Sequence, residues 1–131
     1  MYVMSAQLEH NRHVVREFLD LVFNQHAVDE GIARCMGPSY RQHNPKVADG
    51  VENFRQFFTA FFRDFPLSSL VIKRLIAEDD LVAVHLHWQS HPDQPGDAVM
   101  DFFRLKDGRI VEHWDVIQPV AMQSANANSM F

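Results

Sequence analysis

Hydrophobic positions in the first half of the chain recur every three to four residues, which is the spacing of amphipathic helices. The pattern predicts a first helix over residues 6–25 and a shorter second helix over residues 28–36. A third helix is predicted behind residues 49–52, where an aspartate followed three positions later by a glutamate indicates a capping box. Pro66 ends this helix, because proline cannot continue a helical hydrogen-bond ladder.

Beyond Pro66 the hydrophobic pattern changes to a period of two, which is typical of β-strands. Strands are predicted at residues 70–77, 81–91, 99–105 and 110–117, with a further short extended segment at residues 39–45. Helices followed by antiparallel strands indicate an α+β domain. We expect residues 1–131 to form this single domain, with residues from about 121 to 131 as a loosely held tail.

Composition and charge narrow the class of protein. The chain has 131 residues, is 47% hydrophobic and carries a formal net charge of −5. It can therefore bury a core without disulfides or metals, but it lacks the basic surface that binding to nucleic acids or anionic membranes requires. The single cysteine, Cys35, excludes an internal disulfide framework, and no apolar run approaches the length of a membrane span. We expect a cytoplasmic protein with no nucleic-acid partner and no membrane partner.

The register of the last predicted hairpin decides which polar side chains meet. Residues 106–108 suit a three-residue loop that ends in a glycine with positive φ. Such a loop pairs Asp101 with His113 across the hairpin. A two-residue turn at Asp107 and Gly108 is the alternative, and it would shift the register by one residue and separate Asp101 from His113.

Strand alternation with the three-residue loop collects ionisable groups on one face of the sheet. That face carries Asp101, His113 and Asp115, the imidazoles of His85 and His87, and the apolar residues Phe103, Val111 and Ile117. Ionisable groups cannot be fully buried without partners, so we expect this face to border a pocket. An apolar pocket with a few convergent polar groups is typical of a small-molecule site.

Asp101, His113 and Asp115 are the candidate catalytic residues, because a carboxylate beside an imidazole can exchange protons near neutral pH. The alternative interpretation is a structural hydrogen bond that stabilises the sheet. His85 and His87 are candidate substrate-binding residues that could donate hydrogen bonds to a substrate oxygen. A metal site at the two histidines is the alternative that their spacing leaves open, although we predict no metal.

Three further substrate-binding candidates come from the loop after the second helix and from a strand. His43 and Asn44 precede Pro45 and could hold a substrate oxygen at the pocket mouth, with a turn-forming role as the alternative. Phe103 is expected in the pocket wall. The opposite face of the sheet is rich in large apolar groups and is predicted to form a homodimer interface. It carries Trp88, Met100, Phe102 and Trp114.

Three segments carry a family resemblance: Tyr-Arg-Gln-His-Asn-Pro at residues 40–45, Asp-Phe-Phe-Arg-Leu at residues 101–105, and Gly-Arg-Ile-Val-Glu-His-Trp-Asp at residues 108–115. Together they resemble the SnoaL-like polyketide cyclase family, within the nuclear-transport-factor-two-like superfamily. The resemblance implies a cone-shaped α+β fold, in which a curved antiparallel or mixed sheet wraps around N-terminal helices and encloses a pocket. It also implies a homodimer formed through the outer sheet face.

The chemistry that the resemblance implies is acid–base catalysis with neither metal nor cofactor. In that family a histidine and an aspartate at the pocket act as acid and base in an intramolecular aldol closure, and the matching positions are His113 and Asp115. We therefore expect a lyase-type or isomerase-type enzyme that acts alpha to the carbonyl of a small apolar ligand, by cyclisation, isomerisation or dehydration. The alternative is a non-catalytic binding module of the same fold.

Overall fold

A computed structural model describes residues 2–131, with side chains described from residue 5 onward. The helices are α1 (Tyr2–Leu19), which continues into a π-helical turn (Asp20–Asn24), α2 (Val28–Cys35) and α3 (Val51–Asp64). The strands are β1 (Met36–Gln42), β2 (Ser69–Glu78), β3 (Leu81–Gln89), β4 (Asp97–Lys106) and β5 (Arg109–Pro119). No helix in this described part of the chain has both the length and the hydrophobicity that a membrane crossing needs.

The five strands form one mixed sheet that does not close, in the order β1-β5-β4-β3-β2. β1 runs parallel to β5, and the other neighbouring pairs are antiparallel. The predicted α+β fold with a cone-like sheet around N-terminal helices is confirmed. We call the sheet face that packs against the helices the inner face, and the opposite one the outer face.

Aromatic packing joins the helices to the inner face. Phe18 of α1 is almost completely buried, because it lies in the apolar stripe that the helical spacing predicts. Its ring centroid lies 5.6 Å from that of Phe54 in α3 and 5.9 Å from that of Phe103 in β4. This one side chain therefore connects both long helices to the strand that carries Asp101.

The capping box predicted at residues 49–52 is wrong. The N-cap of α3 is Gly50, whose φ of 95° only glycine adopts readily, and no side chain caps this helix end. Asp49 instead accepts a hydrogen bond from the backbone N–H of Gln42, at 2.7 Å. The side chain of Asp49 therefore contacts the end of β1 and not the start of α3.

The three-residue loop predicted between β4 and β5 is also wrong. Lys106 pairs with Arg109, so the turn contains only Asp107 and Gly108, with φ values of 53° and 75°. Positive φ at both positions is the geometry of a tight hairpin turn, which an Asp-Gly sequence favours. The chain therefore forms the two-residue turn that was the alternative prediction.

A β-bulge next to this turn restores the alternation of the two strands. Leu105 pairs with Ile110 and Arg104 with Glu112, so Val111 is an extra residue in β5. The turn shifts the register by one residue and the bulge shifts it by one more, which returns the side chains beyond the bulge to their expected faces. The prediction for Val111 is wrong, because it is the unpaired bulge residue and Ile110 takes the buried position opposite Leu105. As a result Asp101 lies opposite Asp115, and His113 lies at the diagonal position on the same face.

The predicted faces of β3 were wrong. Val84 of β3 pairs with Asp101, whereas His85 pairs with Met100. The even-numbered residues of β3, including Trp88, therefore lie on the inner face, and the odd-numbered ones, including His87, lie on the outer face. The loop at residues 90–96 sets this register, and its length does not appear in the alternation pattern.

Candidate functional site

A cavity of about 650 Å³ lies between the inner face of the sheet and helices α1 and α3. Most of its wall is apolar, and its aromatic residues include Phe23, Phe54, Phe58, Phe61, Trp88 and Phe103. Its polar lining residues include a hydrogen-bonded group from β1, β4, β5 and the loop after β1, namely Tyr40, Gln42, Asn44, Asp101, His113 and Asp115. The cavity therefore has the apolar wall and the few convergent polar groups of a small-molecule site.

Asp101 and His113 form the most deeply buried ionisable pair of this group. Their fractional exposures are 6% and 8%, and Nε2 of His113 lies 2.8 Å from Oδ1 of Asp101. Burial raises the pKa of Asp101 above its usual range, and the hydrogen bond and charge of His113 oppose this rise. The pair is thus a carboxyl and an imidazole that compete for the same proton.

Asp115 is held differently, by an amide. The side-chain amide of Asn44 donates to both carboxylate oxygens of Asp115, at 3.0 and 2.9 Å. The amide itself is oriented because Oδ1 of Asn44 accepts the backbone N–H of Lys46, at 2.8 Å. Oδ2 of Asp115 lies 3.7 Å from Nε2 of His113, so the two side chains are close without a hydrogen bond.

Gln42 and Tyr40 complete the network, and the predicted set of site residues does not include them. Nδ1 of His113 lies 2.7 Å from Oε1 of Gln42, and the side-chain amide of Gln42 donates to the hydroxyl of Tyr40 at 3.3 Å. Burial first, and the charge of Asp101 second, raise the pKa of Tyr40, which keeps the hydroxyl neutral. The signal was the period-two series Tyr40, Gln42, Asn44, which alternation directs to the face that contains His113.

The structure brings together five of the eight predicted site residues. Asp101, His113 and Asp115 meet at the cavity, and Asn44 and Phe103 line it with them. His43, His85 and His87 are not among the residues that line this cavity.

His43 lies on the outer face because its neighbours Gln42 and Asn44 point inward. Its Nε2 is 2.6 Å from Oε2 of Glu112, and its ring stacks on Trp114 with the centroids 4.8 Å apart. Glu112 is buried and also pairs with Arg104, the residue opposite it in β4. His43 is therefore part of a charge cluster on the outer face, away from the predicted pocket mouth.

His85 and His87 follow the corrected register of β3 to the outer face. His85 is hydrogen-bonded to Arg74 of β2, and Nε2 of His87 lies 2.8 Å from the carbonyl oxygen of Pro95. The ring of Phe131 packs against both imidazoles. Neither histidine can contact a ligand in this cavity, because the sheet lies between them.

The ionisable atoms of Asp101, His113 and Asp115 lie within 4.8 Å of one another, which is close enough to hold a metal ion. The hydrogen bonds of the site compete with this use. Asn44 donates to both oxygens of Asp115, and Nε2 of His113 faces Asp101. A cation bound by all three groups would have to displace the hydrogen bond between Nε2 of His113 and Asp101.

Residues 13–125 match the family model for SnoaL-like polyketide cyclases. The chain belongs to this family. The match includes all six residues of the hydrogen-bonded group in the cavity. No curated protein sequence matches the chain.

Solved structures support the fold of this SnoaL-like protein. A candidate ketosteroid isomerase from Kribbella flavida is 20% identical, with a TM-score of 0.72 over 91% of this chain and 85% of that one. A candidate SnoaL-like polyketide cyclase from Jannaschia sp. is 21% identical, with a TM-score of 0.69 over 83% and 85%. A candidate hydroxylase from Streptomyces galilaeus is 20% identical, with a TM-score of 0.69 over 86% and 81%. At these identities the likeness shows the fold and leaves the reaction open.

Proposed function

We propose that this SnoaL-like protein is an enzyme that moves a proton alpha to the carbonyl of a small apolar ligand, with its own side chains as acid and base. The observation that carries the proposal is the group of three ionisable side chains, Asp101, His113 and Asp115, which meet in a largely apolar cavity. Perturbed ionisable groups in a cleft are typical of active sites. The volume of the cavity lies within the range of about 300–1,000 Å³ that is usual for pockets that bind drug-sized ligands.

Asp115 is the better candidate for the general base. The two hydrogen bonds from Asn44 stabilise its charged form, and its side chain lines the cavity. Asp101 is less suited to this role, because burial favours its protonated form and Oδ1 already faces His113. The Asp101–His113 pair is then the proton donor toward the oxygen on which negative charge develops.

These groups suffice for an enolisation. A positioned acid or base contributes typically about 10²–10⁴-fold to a rate, and a donor to the developing oxyanion contributes about 10²–10³-fold. The enolate formed in this way can attack a second carbonyl, take back a proton at another carbon, or expel a leaving group. Cyclisation, isomerisation and dehydration therefore share this first step, and the ligand decides which of them follows.

The test is proton exchange rather than product formation, since exchange needs no knowledge of the final product. We expect the protein to replace the alpha hydrogens of suitable ketones or polyketide mimics with deuterium in D₂O, as followed by proton NMR. Asp115→Asn should lower the exchange rate about 10²–10⁴-fold. Glu112→Gln is the matched control, because Glu112 lies on the same strand but faces outward.

Equal exchange rates in the wild-type protein and Asp115→Asn would contradict the proposal. A ligand that raises the melting temperature but returns without deuterium or any chemical change would instead support the alternative, a binding module. Thermal shift measurements across the same ligand panel separate these outcomes.

We also propose that a second copy of the chain covers part of the outer face. Met100, Phe102 and Val116 are exposed there on neighbouring strands, next to Trp114, and water contact with such a patch is unfavourable. Light scattering at micromolar concentration should give the mass of a dimer, and Phe102→Asp should shift it toward the monomer. A monomeric wild-type protein would contradict this proposal.

A further inference from the structure

We propose that Gln42 is a positioning residue that keeps a proton on Nδ1 of His113, and so requires a second proton between Nε2 of His113 and Asp101. The location of the protons follows from the contacts of Gln42 alone. Only its consequence for turnover rests on the proposed function.

The side-chain amide of Gln42 can adopt only one orientation. Its Oε1 accepts the backbone N–H of Asn44 at 3.1 Å, and its Nε2 donates to the hydroxyl of Tyr40 at 3.3 Å. A flipped amide would direct its NH₂ group at the N–H of Asn44, which is also a donor. The backbone of Asn44 therefore determines that an oxygen, which can only accept, faces His113.

Nδ1 of His113 must consequently carry a hydrogen. It lies 2.7 Å from Oε1 of Gln42, and two lone pairs at this distance would repel each other. The same logic then applies at the other ring nitrogen. Nε2 lies 2.8 Å from Oδ1 of Asp101, so one proton has to lie between them, on the carboxyl or on the ring.

The surroundings of the pair favour retention of this second proton. Asp115 on β5 places a negative charge 3.7 Å from Nε2, and Tyr40 on β1 is neutral. Lys46 is the single lysine or arginine among the residues that line the cavity, and its side chain is exposed. Without a buried cation nearby, an ionised Asp101 has no counter-charge except a protonated His113.

This arrangement assigns the direction of proton flow. With Gln42 in place, the Asp101–His113 pair enters the reaction with a proton to donate, and Asp115 enters without one. In the absence of Gln42, the ring can place its only hydrogen on Nε2 and donate it to an ionised Asp101. That form satisfies the pair with one proton fewer, and no proton remains for transfer to a substrate.

Nitrogen NMR of the ¹⁵N-histidine-labelled protein tests the proton location directly, because the two ring nitrogens of the neutral tautomers have different shifts. We expect a protonated Nδ1 for His113 in the wild-type protein, with the signal assigned by its loss in His113→Gln. Gln42→Glu keeps an acceptor at this position and should preserve the proton on Nδ1. Gln42→Leu removes the acceptor and should move the hydrogen to Nε2.

Gln118→Leu is the control, because Gln118 is exposed on the same strand as His113 and should leave the tautomer unchanged. A bare Nδ1 in the wild-type protein would overturn the inference, and so would an unchanged tautomer in Gln42→Leu. Should Gln42→Leu not fold, the wild-type protein and Gln42→Glu still decide the question through the state of Nδ1.

Exchange kinetics supply the link to turnover. Gln42→Leu should lower the alpha-exchange rate about 10²-fold, the lower end of what a general acid contributes, and Gln42→Glu should retain more of the rate. A confirmed tautomer without any exchange activity would contradict the proposed function but not the role of Gln42. The reverse result, exchange with a bare Nδ1, would contradict only the role of Gln42.

Discussion

Each face of β5 carries a carboxyl group paired with an imidazole, but the surroundings of the two pairs differ. On the outer face Glu112 binds the imidazole of His43, and on the inner face His113 binds the carboxyl of Asp101. Glu112 and His113 are consecutive residues, so alternation alone sends them to opposite sides. The two pairs differ in charge, since Arg104 adds a permanent positive charge to the outer pair, whereas no lysine or arginine among the described side chains contacts the inner pair.

This difference separates a structural pair from a reactive one. A guanidinium keeps its positive charge at all ordinary pH values, because arginine does not lose its proton, and this charge favours the charged form of a carboxylate beside it. A carboxyl that faces only an imidazole shares one proton with it, and the position of that proton responds to small changes nearby. The presence of a counter-charge, more than the types of residue, therefore decides which pair can exchange protons.

The largest expected effect comes from substitution of the inner histidine, and the same substitution of the outer histidine is the comparison. His113→Gln should lower the alpha-exchange rate about 10²–10⁴-fold, because it removes the ring that shares a proton with Asp101. His43→Gln should leave the rate within about threefold of the wild-type value, because His43 faces away from the cavity. Similar losses in both variants would contradict the claim that only the inner pair takes part in proton exchange.

Removal of Glu112 should affect stability rather than turnover. Glu112→Ala deprives Arg104 and His43 of their partner, and lost hydrogen bonds to charged groups cost about 1.5–3 kcal/mol. The cost should stay below the 3–5 kcal/mol typical of broken buried pairs, at about 2 kcal/mol, because Arg104 and His43 are partly exposed and can be rehydrated. Urea denaturation measures the free energy of unfolding, and a variant as stable as the wild-type protein would contradict the prediction.

Asp101 should make stability depend on pH in the direction opposite to an ordinary ion-paired carboxylate. Its folded pKa is raised above the reference value of 3.8, so the folded state binds more protons than the unfolded state. Its contribution is fully present below about pH 3.8 and is lost as the pH rises through the raised pKa, at about 1.4 kcal/mol for each unit of difference.

Asp101→Asn should abolish this contribution, because the amide does not titrate. The free energy of unfolding, measured in urea from pH 4 upward, should then fall less with pH in the variant than in the wild-type protein. Glu112→Gln is the control for a carboxyl on the outer face. Parallel pH curves for Asp101→Asn and the wild-type protein would contradict the prediction.

The smallest effect is expected at the outer face of β3. His87→Ala should change the exchange rate less than about twofold and the unfolding free energy by about 0.5 kcal/mol or less, as is usual for surface positions. A large loss of exchange would mean that the outer face takes part in the reaction, which the register of β3 and β4 does not permit.

The helices and the strands could be predicted from the sequence, because they depend on local period and alternation. The meeting of Asp101 with His113 was predicted from a three-residue loop that the chain does not form, and the two-residue turn together with the bulge at Val111 brings these residues to one face instead. The register of β3 could not be predicted from the sequence, since the loop at residues 90–96 decides that register through contacts that no alternation pattern contains. For the same reason His87 was predicted on the wrong face of the sheet. Gln42 was hard to recognise because its importance lies in the orientation of one amide, which depends on the backbone of Asn44.

The bulge residue Val111 has no partner in β4, so the hairpin could pair without it. Without Val111, Ile110 and Glu112 would become neighbours, and regular pairing from the Asp107–Gly108 turn would still place Glu112 opposite Arg104. A one-residue deletion at this point would straighten β5 and leave every pairing with β4 beyond it unchanged. Length variation near the turn can thus be absorbed locally, before it reaches the strand segment that carries the acid and the base.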